Sequence, residues 1–201
     1  MNKKTYRIGL LVCLSVFVFL TGLMIYENVN TEPTQQVVSV NNEKPPVVEV
    51  ETEKLLKPFN QDIKAVRYFY EKDDEASRQS SSLVYFEGVY RPNQGMDFAK
   101  DDTTFDVVAS LSGKVINKKD DPIFGTCLVI ESSEGVVLTY QSLNDVKVEL
   151  NSEVKQGDII ASSGENIYEA DLGNHLHFIV EKDGVILNPE KCFDKAIDEI
   201  Q

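Results

Sequence analysis

Short strand-like segments recur every eight to twelve residues after about residue 105, and turn residues separate them. Residues 126–131 and 136–140 predict one hairpin, and residues 175–181 and 185–187 predict another. Three shorter segments fit the same pattern: residues 105–109, 115–116 and 159–161. Because strands at this spacing are typical of a sandwich or a barrel-like sheet, we predict a mainly β domain.

The region before these strands has a mixed pattern. Residues 66–70 and 83–90 are rich in aromatic and β-branched side chains and predict two more strands. Residues 73–82 predict one or two helical turns, with Asp73 or Asp74 as the N-cap. The aromatic run at residues 68–70 fits either the core or a protein interface.

The N-terminal residues differ from the rest of the chain. Residues 8–26 contain no charged residue and no proline, and their length is close to the ~20 residues that a membrane-spanning helix needs. A cleaved signal peptide is the alternative, but its apolar core is shorter, at about 7–15 residues, and no Ala-x-Ala-like site follows. Because Lys3, Lys4 and Arg7 precede the run, residues 1–7 are expected to be a cytoplasmic tail.

A linker is predicted between this membrane anchor and the domain. Residues 27–58 contain several Pro, Glu and Asn residues and no aromatic side chain. Such a composition buries too little apolar surface to order itself, so we expect a flexible linker followed by a folded domain at residues 59–201.

The part outside the membrane is strongly acidic. It contains all 33 acidic residues and 17 of the 20 basic residues, so its formal charge is −16. This charge repels phosphate backbones and excludes nucleic acid as a partner. It also disfavours adhesion to anionic lipid or anionic wall polymer.

The two histidines of the chain, His175 and His177, lie two residues apart in a predicted strand. Their side chains therefore share one face, while Leu176, Phe178 and Val180 point to the core. Two imidazoles on a rigid element suit a zinc-hydrolase site, which normally uses three protein ligands and one water. A third ligand must then come from a residue other than histidine.

Five short sequence motifs resemble, in their order and spacing, those of the LytM, or lysostaphin-type, zinc endopeptidase family. They lie at residues 95–98, 107–115, 124–140, 154–160 and 173–189, with a motif core at 90–189. The resemblance implies a duplicated-hybrid-motif-like β-sheet domain.

The resemblance also assigns the site residues. Asp97 and His177 match two of the three zinc ligands of the family, and His175 matches the residue that polarises the attacking water. Asn93 stands where the remaining zinc histidine is expected, and Ser142 stands where a histidine steadies the oxyanion. A neutral amide is a poor zinc ligand, and loss of an oxyanion donor alone costs about 10²–10³ in rate. We therefore expect vestigial residues, no catalysis and no zinc cofactor.

Residues 82–85, 90–97 and 140–143, together with the anchor and linker, resemble the stage II sporulation protein Q family. That resemblance implies a single-pass forespore membrane protein whose domain lies between forespore and mother cell. The implied partner is a SpoIIIAH-like mother-cell membrane protein. The implied role is a channel-like or zipper-like complex that supports engulfment and late forespore gene expression.

Several alternatives stay open at this point. The chain could be an active zinc endopeptidase on peptidoglycan cross-bridges, with residual zinc held by Asp97, His177 and Asn93. It could also be a wall-binding activator of an amidase. The interface residues are unknown, although an unpaired sheet edge is a natural place for a partner. Cys127 and Cys192 could pair as a disulfide or remain free.

Overall fold

The computed structural model describes residues 52–201, which form a mainly β domain. One α-helix, α1, spans Ala76–Ser81, and three short 3₁₀ helices span Ala170–Leu172, Pro189–Lys191 and Ile197–Glu199. The strands are β1 (Lys64–Arg67), β2 (Leu83–Phe86), β3 (Val89–Pro92), β4 (Met96–Ala99), β5 (Asp106–Val108), β6 (Gly113–Asp121), β7 (Gly125–Glu131), β8 (Val136–Asn144), β9 (Glu153–Val154), β10 (Ile159–Ser163), β11 (Leu176–Lys182) and β12 (Val185–Leu187).

Ten of these strands form one sheet, with the order β1-β4-β11-β8-β7-β6-β9 along its main path. Strand β12 pairs with β11, and β10 pairs with both β5 and β8. The remaining two, β2 and β3, pair as a separate hairpin. The path matters for function because β4, β11 and β8 are neighbours at its centre, and they carry most of the motif residues.

The core lies against the face of β11 that carries Leu176, Phe178 and Val180, which are all fully buried. Alternation along the strand therefore places His175 and His177 on the opposite face, as predicted. Tyr140 of β8 packs against Phe178 with ring centroids 5.1 Å apart. The backbone N–H of Ser110 donates to its phenolic oxygen at 2.9 Å, so the buried hydroxyl has a partner.

Both predicted hairpins are confirmed as β7–β8 and β11–β12. Strand β6 is longer than predicted, because it continues to Asp121 in register with β7. The predicted strand at 83–90 is wrong: it is two strands that reverse at Glu87 and Gly88, whose φ angles are 49° and 80°. Two consecutive positive φ values are what a two-residue hairpin turn requires.

Two further predictions are corrected upstream of that hairpin. The strand predicted at 66–70 lies at Lys64–Arg67 instead. The helix N-cap is Glu75, rather than Asp73 or Asp74, and it makes no side-chain capping hydrogen bond. The aromatic residues 68–70 are half-buried, and the Arg78 guanidinium lies 4.0 Å above the Tyr68 ring. That ring is therefore used in packing within the domain.

The domain begins earlier than the predicted boundary at residue 59. Leu55 is fully buried, and its backbone N–H donates to the carbonyl of Lys195 at 2.9 Å. Glu53 accepts hydrogen bonds from the backbone and hydroxyl of Ser112. Residues 52–58 are thus packed against the domain, because an apolar leucine and paired strand-like contacts anchor them.

The predicted tail, the predicted anchor at 8–26 and residues 27–51 of the predicted linker lie outside the described residues. Within residues 52–201, no helix has both the length and the apolar character that crossing a membrane requires. Cys127 and Cys192 are both free and buried, which answers the open question of their pairing. Burial raises the pKa of the Cys127 thiol to about 11.

Candidate functional site

Strand register brings Asp97 and His177 together. They are cross-strand partners in the β4–β11 pair, and His177 Nδ1 lies 2.6 Å from Asp97 Oδ1. Gly95 makes this approach possible, because a Cβ there would lie 2.8 Å from His177 Nε2 and 2.5 Å from the Phe178 carbonyl oxygen. The Phe178 carbonyl cannot move away without disturbing the β4–β11 pairing, and the His177 ring cannot move without losing its contact with Asp97. The glycine of the motif is therefore a steric requirement of the site.

Asn93 also reaches the site, immediately after β3. Its side-chain Nδ2 faces three acceptors: the Tyr68 carbonyl at 3.2 Å, the Gly95 carbonyl at 3.1 Å and Asp97 Oδ2 at 3.0 Å. All three partners are oxygen acceptors, so the NH₂ end of the amide, with its two hydrogens shared among them, must point towards them. Asn93 thus presents an NH₂ group, and not its carbonyl oxygen, to Asp97.

On the opposite side of the site, both ring nitrogens of His175 make hydrogen bonds within the protein. Its Nδ1 donates to the Gly173 carbonyl at 2.8 Å, because a carbonyl can only accept. The Ser142 hydroxyl lies 2.9 Å from His175 Nε2 and donates to it, and Asn166 Nδ2 donates to the same hydroxyl at 2.6 Å. The lone pair that would activate a water is therefore engaged, and the imidazole is fully buried.

Three functional residues were missed by sequence analysis: Arg67, Asn166 and Glu169. Arg67 is 6% exposed, and its Nη1 lies 3.5 Å from Glu169 Oε1 and 3.8 Å from Asp97 Oδ2. Glu169 also lies 3.4 Å from each histidine, through Oε1 to His177 and Oε2 to His175. No motif signals these residues, since they come from β1 and from the loop before β11.

Together these side chains form what we call the buried polar cluster: Arg67, Asn93, Asp97, Ser142, Asn166, Glu169, His175 and His177. Burial alone would lower the pKa of His177, but the charges of Asp97 and Glu169 outweigh it and raise that pKa to about 10. Burial opposes ionisation of Glu169, yet the positive charge of His177 acts against burial and lowers the pKa of that carboxyl. With His177 protonated and both carboxylates ionised, two buried cations face two buried carboxylates, while burial raises the pKa of Asp97.

The LytM resemblance implies zinc, so the donor set can be tested against that metal. Ligand atoms of Asp97, Glu169 and His175 lie within 4.8 Å of one another. However, the permanently charged Arg67 lies against both carboxylates, and His175 Nε2 accepts from Ser142. Asn93 offers the wrong atom, as described above. Zinc needs unhindered nitrogen, thiolate or carboxylate donors, and these residues do not fit it.

A narrow groove of about 160 Å³ lies beside the cluster. It is lined by Pro92, Asn93, Gln94, Phe124, Gln141, Tyr168, His177 and Ile179. Tyr168 packs between Phe124 and Phe86, with centroids 5.1 and 5.2 Å away, so an aromatic wall closes one side. Of the buried polar cluster, Asn93 and His177 line this groove, whereas Asp97 and His175 are fully buried and do not.

Comparison with known proteins identifies the family. Residues 91–189 match the model of Peptidase family M23. Over 210 residues the chain is 33% identical to stage II sporulation protein Q of Bacillus subtilis (strain 168), an alignment that covers 99% of this chain and 74% of that protein. The chain belongs to the stage II sporulation protein Q (SpoIIQ) family.

Solved structures agree with this SpoIIQ-family membership. A chain in the structure of the SpoIIQ–SpoIIIAH pore-forming complex is 38% identical, with a TM-score of 0.70 over 73% of this chain and 94% of that chain. A zinc-containing peptidase from Vibrio cholerae is 25% identical, with a TM-score of 0.54 over 68% of this chain and 39% of that chain. The SpoIIQ-family chain thus shares the fold of Peptidase family M23.

Proposed function

We propose that this chain is a non-catalytic, membrane-anchored sporulation protein that acts by binding a partner. Its M23-type domain would bind a SpoIIIAH-like protein of the mother-cell membrane across the space between the two membranes. The resulting channel or zipper would support engulfment and late forespore gene expression. The observation that carries the proposal is the 38% identity to a chain of a SpoIIQ–SpoIIIAH complex, over 94% of that chain.

The buried polar cluster supports the non-catalytic part of this proposal. A peptidase must bring a scissile carbonyl within reach of its nucleophilic water and of an oxyanion donor. In this chain Asp97, Ser142 and His175 are fully buried. Their polar atoms already bond to one another or to Asn93, Asn166 and Gly173. A substrate would have to break this network before any chemistry began.

Strand β6 is the partner-binding edge that we favour. Its outer side pairs with β9 only at Gly113 and Lys114, so from Ile116 to Asp121 no described residue pairs with that side. An edge of this length can accept an added strand from a partner. Lys118 and Lys119 lie on it, and charged side chains of this kind discourage unspecific edge pairing.

The proposed partnership is tested by capture from sporulating cells, with the tagged full-length chain as bait. We expect a SpoIIIAH-like mother-cell membrane protein in the eluate. Co-purification of an amidase without such a membrane protein would contradict the proposal and favour the wall-activator alternative. Lysis of purified cell wall that is abolished by a chelator would favour the endopeptidase alternative.

The edge itself is tested with two proline variants, Lys118→Pro and Lys119→Pro. Adjacent residues of a strand direct their N–H groups to opposite sides, so one proline removes an outward donor and the other disrupts the β6–β7 pairing. The variant that keeps the parent melting temperature is the informative one, and we expect it to lose partner capture. Undiminished capture by that folded variant would show that the partner binds elsewhere.

A further inference from the structure

Arg67 occupies a position that the strand register dictates. It is the cross-strand partner of Asp97 in the β1–β4 pair, directly after a register shift between Ala65 and Arg67. Because His177 is the partner of Asp97 on the other side, the carboxylate lies between a guanidinium and an imidazole. The arginine side chain is 7% exposed, so its charge must be balanced inside the protein.

The contacts of Arg67 are those of a charge held between carboxylates. Its Nη2 lies 2.5 Å from Asp171 Oδ2, while its Nη1 lies 3.5 Å from Glu169 Oε1 and 3.8 Å from Asp97 Oδ2. Among the described residues, neither Arg67 Nη1 nor Glu169 Oε1 has a hydrogen-bond partner, and both atoms are buried. Nη1 therefore acts as a positive charge between two carboxylates, without the geometry of hydrogen bonds.

We propose that the Arg67 guanidinium is a built-in cation that replaces a metal ion at Asp97 and Glu169, so that restoring the missing histidine would not by itself restore zinc binding. A zinc ion must approach a carboxylate oxygen to about 2.0–2.2 Å. Such an ion would lie within a few ångströms of the guanidinium, which keeps its charge at every pH at which the protein folds. Two cations cannot share that space.

This inference goes beyond the absence of a histidine at Asn93. If the amide were the only obstacle, an imidazole at that position would complete a set of two histidines and Asp97, which suits zinc. If Arg67 is the obstacle, zinc binding is instead opposed by a charge on β1, outside the motif region, and a histidine at position 93 does not remove that charge. This obstacle is also independent of partner binding, since neither Arg67 nor Glu169 lies on β6.

The test measures zinc affinity of the full-length protein in detergent, by competition with a chromophoric chelator. The variants are Asn93→His, Asn93→His with Arg67→Met, and Asn93→His with Arg78→Met as the matched control. Arg78 is a half-buried arginine that stacks on Tyr68 and does not contact Asp97 or Glu169. We expect the Arg67→Met combination to bind one zinc about 10- to 100-fold more tightly than the other two, a scale typical of groups around metal ligands.

Two results would overturn the inference. One is tight zinc binding by Asn93→His with Arg67 in place, equal to that of the combined variant. The other is a folded combined variant that binds zinc no better than the control. If the variant with Arg67→Met and Asn93→His fails to fold, Glu169→Gln is added to it. Arg67→Met and Glu169→Gln together remove one positive and one negative charge, so the net charge of the cluster is unchanged. That triple variant is expected to bind zinc, and its failure to do so when folded would equally overturn the inference.

Discussion

The two sides of the buried polar cluster are held by different interactions. On the side of Asp97 and His177, Arg67 and Glu169 add a cation and a carboxylate, so that side is held by charges. On the side of Ser142 and His175, the polar atoms form a chain of hydrogen bonds that begins at Asn166. The comparison teaches that one buried cluster can combine a charged half with a neutral, hydrogen-bonded half.

The largest effect is expected on the charged side. Arg67→Met should lower the free energy of unfolding by about 3–5 kcal/mol, because it leaves two buried carboxylates, Asp97 and Glu169, with His177 as the remaining cation of the cluster. Chemical denaturation measures this value. Arg78→Met, which removes two partly exposed ion pairs, with Asp74 and Glu190, should cost about 1 kcal/mol or less. If the two variants lost equal free energy of unfolding, burial of the arginine charge would not explain the cost of Arg67→Met.

The pH dependence of stability should also report the charged side. The folded-state pKa of His177 is raised from 6.5 to about 10, so its contribution is fully present below pH 6.5 and is lost as pH rises towards 10. The pKa of Glu169 is lowered from 4.5, so its contribution is present above pH 4.5 and declines as pH falls below that value. The stabilising contributions of these two groups are therefore present together between pH 4.5 and 6.5.

Denaturation midpoints across this pH range measure the effect, which should amount to a few kcal/mol on the alkaline side. His177→Gln is the control, because it removes the titrating imidazole and should flatten the alkaline decline. An unchanged decline in that variant would assign the pH dependence to other groups.

An intermediate effect is expected where the two sides meet, at Asn166. Its Nδ2 donates to Ser142 Oγ at 2.6 Å, and its Oδ1 accepts from the Glu169 backbone at 2.6 Å. Asn166→Ala should cost about 1–3 kcal/mol, because it leaves buried partners unsatisfied. Thermal unfolding checks the cost. A loss of stability equal to or larger than that of Arg67→Met would contradict the ranking of the charged side above the hydrogen-bonded side.

The smallest effect is expected from Ser142→Ala on the neutral side. The variant removes the hydroxyl that donates to His175 and accepts from Asn166. Because Asn166 Nδ2 also lies 3.3 Å from His175 Nε2 and 3.2 Å from Glu169 Oε2, it keeps buried partners, and the cost should be about 0.5–1.5 kcal/mol. Ser162→Ala is a matched control, because its hydroxyl makes a single exposed hydrogen bond to the Asn144 carbonyl. A cost above that of Asn166→Ala would contradict the ranking of the two sides.

Much of this architecture could be predicted because its signals are local. The turn residues of the β7–β8 and β11–β12 hairpins mark where each chain reversal occurs. The family resemblance grouped Asn93, Asp97 and His177, and the structure places these three side chains together. The hairpin at Glu87 and Gly88 was missed because a glutamate with positive φ is uncommon and has no clear sequence signal.

The charged half of the cluster could not be predicted, for a physical reason. The Arg67–Asp171 pair joins residues 104 positions apart, and nothing in either local sequence indicates the other. Arg67 looked like one polar residue in an aromatic strand, and Glu169 like one of many acidic residues in a loop. Their roles follow only from burial and from the sheet order, which are properties of the folded chain.

The central claim is that this SpoIIQ-family domain has replaced metal chemistry with a closed, self-neutralised cluster. Calorimetric titration of zinc into the unmodified full-length protein tests it most directly. The account predicts no stoichiometric binding, because Arg67 and the Asn93 amide both oppose a metal at Asp97. One equivalent of zinc, bound so tightly that it survives dialysis, would contradict it.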